Sequence, residues 1–120
     1  MDKRIIQHKE LAGGRWQRLS LSQQLANVGS EVERTSNWRR KGNQEYMQLA
    51  FARALELLDL TIGFYREIGT LKELTRLREV LVDDFAGENH FSSSDELWRK
   101  YFYPFNYSAR LPGKSVPGME

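Results

Sequence analysis

Four times along this chain, apolar residues recur at steps of three and four, and three of the runs are closed by Gly42, Gly69 or Gly87. That period places the apolar side chains of each run on one face of a helix, and such a face is stable only when buried against another. In the first run, spanning 20–41, Ser20 and Gln23 form a capping box, and Leu21, Leu25, Val28, Val32, Thr35 and Trp38 share a face. Asn43 caps the second run, 43–66, where Met47, Ala50, Phe51, Ala54, Leu58, Thr61 and Tyr65 make a stripe. Leu55, Leu57, Ile62 and Phe64 widen that stripe, so this helix is expected at the centre. The third run, 70–86, opens on a Thr70–Glu73 capping box and carries Leu71, Leu74, Leu77, Leu81 and Phe85. The fourth, 93–110, follows Ser92-Ser93-Ser94 with Asp95 and Glu96 in its first turn, then Trp98, Phe102, Phe105 and Ala109. Pro104 lies inside it, lacks an amide proton and predicts a kink or a stop.

The expected fold is therefore all-α: a single four-helix bundle over 20–110, mostly antiparallel because the links are short, with the fourth helix kinked at Pro104. Residues 1–19 show no sustained period and read as an irregular N-terminal arm, with Trp16 and Leu19 pinned to the bundle. Residues 111–120 hold two Pro-Gly pairs and little to bury, and read as a disordered tail. A length of 120 residues fits one domain.

No apolar run reaches the roughly 18 residues of a membrane span, and the first residues do not have the pattern of a signal peptide. The expected setting is cytoplasmic, and the Asn106-Tyr107-Ser108 sequon carries no weight there. With no cysteine, the chain has no disulfide framework, zinc–thiolate site or thiol nucleophile. Charge is unevenly spread: +5 over 1–43, −4 over 44–91 and +1 over 92–120. That division implies an oriented partner or docking of one part of the chain on another.

Three strings, Leu25 to Val32, Arg53 to Thr61, and Gly87-Glu88-Asn89 before Ser93-Ser94-Asp95-Glu96, resemble a family of short uncharacterised bacterial and archaeal helical proteins. The resemblance spans about His8 to Arg110 and brings no established activity with it.

Chemistry-bearing motifs are few. His8 and His90 lack the preceding glutamate of a bundle di-iron site, so neither a metal nor a cofactor is expected. Gly13-Gly14 is a turn signal rather than a phosphate loop, and Ser92, Ser93 and Ser94 are helix caps rather than nucleophiles. Arg78 falls within the apolar arc of its helix, which predicts low exposure and a carboxylate partner, Glu56 or Asp59, on the second helix. Gly29, beside Ala26 in mid-helix, predicts a close helix approach. Arg34, Arg39, Arg40 and Lys41, with Arg15 and Arg18 nearby and Trp16 and Trp38 as stacking platforms, are the candidate nucleic-acid contacts. The competing reading is that these cations complement a helix dipole.

Seven of the fourteen aromatic residues lie between Phe91 and Tyr107, more than one helix face can bury. Trp98, Tyr101 and Phe102 are therefore the candidate oligomer contacts, joined by Tyr46 or Leu49 of the second helix. The expected function is a non-enzymatic module that binds a second copy of itself, with an RNA-binding bundle as the alternative.

Overall fold

The computed structural model describes residues 14–110; the expected arm before residue 14 and the tail 111–120 lie outside the described residues. A short 3-10 turn, Trp16–Arg18, is followed by α1 (Leu21–Arg40), α2 (Gln44–Phe64), α3 (Ile68–Ala86) and α4 (Asp95–Ala109). Among the described residues there is no strand. Nor is any helix there long and apolar enough to cross a membrane.

Local chemistry sets each boundary. Ser20 Oγ accepts from the Gln23 amide at 3.1 Å, and Gln23 Oε1 accepts from the Ser20 amide at 2.9 Å, completing the capping box of α1. Gly42 closes α1 at a φ of 75°, a left-handed conformation that costs glycine little. Asn43 Oδ1 then accepts from the Tyr46 amide at 3.0 Å to start α2. The start of α3 departs from the Thr70–Glu73 box. Glu67 is the cap, accepting from the Thr70 amide at 2.7 Å and the Gly69 amide at 3.0 Å. The helix thus begins at Ile68 and takes Gly69 into its first turn, because a carboxylate already satisfies the amides that would otherwise be stranded there. In α4 the helix continues through Pro104. The proline lacks the amide proton that would bond the Lys100 carbonyl, and both residues are exposed.

Direction follows from cross-helix contacts. Arg39, late in α1, meets Asp84, late in α3, and Asp95, at the start of α4. Arg78 meets Asp59 across the α2–α3 seam, and Glu33 meets Arg99 across the α1–α4 seam. The helices alternate up, down, up, down, with α1 packed closely on α2 and α4, while α2 and α3 meet along a looser seam.

The core runs the length of the bundle. Leu25, Val28, Ala50, Ala54, Leu58, Leu74 and Leu81 are inaccessible at its middle. Trp16 plugs one end: its indole N–H donates to Thr61 Oγ1 at 3.0 Å, and Gln24 Nε2 donates to its carbonyl at 2.8 Å. Gly29 faces α4, and a Cβ there would stand 2.7 Å from Cγ of the buried Phe102.

Candidate interaction surfaces

Half of the expected basic cluster is consumed inside the molecule. Arg39 donates to Asp84 Oδ1 at 2.9 Å and to Asp95 Oδ1 at 3.1 Å, and its guanidinium lies 4.2 Å from the centroid of the Phe85 ring. Arg40 donates to Asp95 Oδ2 at 2.7 Å. Asp84, whose side chain is 3% exposed, also accepts from the Trp98 indole at 2.7 Å. One network thus joins α1, α3 and the start of α4. Burial pushes the Asp95 carboxyl up, but hydrogen bonds from Arg40 and Arg39 outweigh it and hold the group below the usual aspartate range. Burial likewise disfavours the charged Arg39, and Asp84 and Asp95 more than restore it.

The remaining nucleic-acid candidates are little better placed. Arg34 pairs with Glu31 at 2.6 Å, Lys41 sits 5.0 Å over the Trp38 ring, and Trp16 is buried. Arg34, Arg39, Arg40 and Lys41 therefore do not form one open cationic face. Three of them meet carboxylates of their own chain, and a phosphate would have to displace those carboxylates.

The oligomer contacts expected on α4 require correction. Trp98 and Phe102 are buried within their own chain, at 6% and 3% exposure. Tyr101 is half-buried against them, with its hydroxyl donating to Glu73 Oε2 at 3.1 Å. Burial pushes the Tyr101 phenol well above its ordinary range, and Glu73 adds to the shift. The surplus of aromatics emerges elsewhere. Tyr103 and Tyr107 stack on the outer face of α4 with centroids 6.5 Å apart and planes 23° apart, and they are 65% and 58% exposed. Tyr46 and Leu49 of α2 are half exposed, with Tyr46 edge-on to Trp38.

Arg78 takes Asp59 as its partner rather than Glu56, with Nε donating to Oδ1 at 2.7 Å and Nη2 to Oδ2 at 3.2 Å. The expected low exposure is corrected: the two side chains are 41% and 52% exposed, so this is a surface fork, not a buried pair. The pair stands on the wall of a groove of about 890 Å³ between α2 and α3, lined by Met47, Phe51, Leu55, Leu60 and Phe85 with Glu56 among them. The looser α2–α3 seam opens this groove, and no single run of the sequence announces it.

The string after α3 is held from below by Asp83. Its carboxylate accepts from the amides of His90 at 2.8 Å and Phe91 at 3.0 Å, while Asn89, at a left-handed φ of 56°, exchanges hydrogen bonds with the Ser93 backbone. His90 is on the surface beside Glu88, and His8 lies outside the described residues. Among the described residues no group of three or more His, Asp or Glu side chains is placed to hold a metal ion. No protein-family model, curated protein or solved structure matches the chain.

Proposed function

We propose that the protein is a non-enzymatic interaction module that associates with a second copy of itself, through the outer face of α4 rather than through Trp98, Tyr101 and Phe102. The observation that carries this reading is the exposed Tyr103–Tyr107 stack. Two aligned phenols offer a rigid apolar surface with a polar tip, the combination enriched at protein contacts, and they lose little side-chain freedom on docking. A two-fold arrangement sets the pair on its own copy with no second recognition surface required. The densest polar cluster, around Arg39, Asp84 and Asp95, supports the non-enzymatic part: its charges are matched to one another, which suits holding helices together better than moving protons. A cytoplasmic setting belongs to the same reading, since a chain without cysteine gains nothing from an oxidising compartment.

Sedimentation velocity at micromolar concentration tests the proposal. The expected result is a dimer that persists at high salt, because apolar contact is not screened. The double substitution Tyr103→Ser, Tyr107→Ser should return a monomer with unchanged helical circular dichroism. A wild-type chain that stays monomeric across the concentration range refutes the reading. Retention of RNA on a filter that falls steeply with salt would instead favour the nucleic-acid alternative.

A further inference from the structure

Two hydrogen bonds pin α3 to α4. The Trp98 indole donates to Asp84 near the end of α3, and the Tyr101 hydroxyl donates to Glu73 near its start. Between these ties the two helices meet loosely and leave a cleft of about 400 Å³. Sites for small molecules commonly occupy about 300–1,000 Å³. Steps of three and four along α3 bring Lys72, Arg76, Leu77 and Val80 to the face that lines the cleft. Leu77 is buried and Val80 partly so. The Trp98 and Tyr101 rings stand at 85° to each other and close the other side, so the interior is an apolar corner.

The rim of that corner is cationic. Lys72 and Arg76 lie one helical turn apart, and both are exposed. Lys72 makes no ion pair among the described residues. Arg76 reaches Glu79 only at 4.0 Å and lies 5.0 Å from the centroid of the Phe91 ring. The acid on the lining, Glu73, already accepts from the Tyr101 hydroxyl, so two cations face one engaged carboxylate. A purely apolar guest would leave both cations without a counter-charge, and a purely ionic guest would leave the corner wet. The cleft complements a molecule that brings an apolar body and an anionic head together.

We propose that the α3–α4 cleft binds a small organic acid, with its apolar body on Leu77, Val80 and Trp98 and its carboxylate between Lys72 and Arg76. The occupant touches both helices between their two ties, so it binds the folded bundle and not the unfolded chain, and raises stability as its concentration rises. This inference does not depend on the tyrosine face of α4.

Octanoate, kept below its micelle concentration, is the probe, titrated into the isotope-labelled full-length protein while amide and methyl signals are followed. The expected result is a saturable shift at Leu77, Val80 and Trp98, with Met47 and Phe51 on the α2–α3 groove unmoved. Octan-1-ol, which has the same chain and no charge, should bind more weakly. The double substitution Lys72→Glu, Arg76→Glu changes exposed residues only. It should weaken octanoate about tenfold and leave octan-1-ol unchanged, because only the acid loses an ion pair. Val80→Trp fills the corner and should abolish the octanoate shifts while helical circular dichroism is retained. The absence of any saturable shift overturns the proposal. So do shifts centred on the α2–α3 groove, or an octanoate affinity indifferent to the charge reversal. Sedimentation of the tyrosine variant reads the other proposal separately, so the failure of one is distinguishable from the failure of the other.

Discussion

Two charged residues of α3, Arg78 and Asp84, flank the same apolar stripe and carry unequal weight. Arg78 and its partner Asp59 are about half in water, and exposed pairs of this kind contribute about 0.2–1 kcal/mol. Arg78→Ala should therefore lower stability by less than about 1 kcal/mol in urea denaturation. Asp84 is the reverse case. Removing it leaves Arg39 and the Trp98 indole facing a site without its acceptor, so Asp84→Ala should cost about 3–5 kcal/mol in the same assay. The helical period alone made Arg78 look like the buried charge. Leu74 and Leu81 define the centre of the arc, and at about 100° per residue Arg78 lies about 50° to one side and Asp84 about 70° to the other. Sequence cannot say which side is closed. α1 and α4 close the Asp84 side, while the open groove leaves Arg78 wet. A carboxylate partner on α2 was nevertheless readable, as Glu56 or Asp59, because a cation at the edge of an apolar face seeks an acid on the adjoining helix.

At the level of helices, Gly29 is where the Phe102 side chain of α4 lies directly on the backbone of α1. Alanine would be the better helix former by about 1 kcal/mol. Its methyl group, however, would meet Cγ, Cδ1 and Cβ of the buried Phe102 at 2.7 to 2.9 Å. Gly29→Ala should therefore destabilise the bundle by about 1–3 kcal/mol, measured by thermal or urea unfolding, as overpacking outweighs propensity. The need for glycine was legible in its mid-helix position, but its neighbour was not, because nothing local specifies which helix crosses there. The α3–α4 connection makes a pH-dependent prediction. Hydrogen bonds from the Phe91 and His90 amides hold the Asp83 carboxyl below the usual aspartate range. The folded value is lowered, so the loop's stabilisation is complete above the unfolded aspartate value and is lost as pH falls through the folded one. The amide shifts of His90 and Phe91 should titrate with a midpoint below that of an ordinary aspartate, and a midpoint at the ordinary value would contradict the cradle. Caps at Ser20 and Asn43 were readable from residue type, whereas Glu67 was not, since glutamate is an uncommon cap and Gly69 reads locally as a breaker.

For the molecule as a whole, the uneven charge along the chain resolves into internal docking. The basic end of α1 meets acids carried by α3 and the start of α4, so part of its charge is matched within the chain. The four-helix architecture was legible because period, caps and glycine breaks agreed. The surfaces were harder to read, because an excess of aromatics fixes how many rings must be exposed but not which ones. Packing at Gly29 turned Phe102 inward and left Tyr103 and Tyr107 outside. The two buried tryptophans have a practical consequence. Trp16 seals the end of the bundle where α1 begins, bonded to a hydroxyl, and Trp98 seals the end where α1 finishes, bonded to a carboxylate. The protein thus carries a buried intrinsic fluorophore at each pole, with the third tryptophan, Trp38, late in α1. With Trp38 replaced, emission from chains retaining Trp16 or Trp98 alone separates melting at one end of the molecule from melting at the other, with no dye attached.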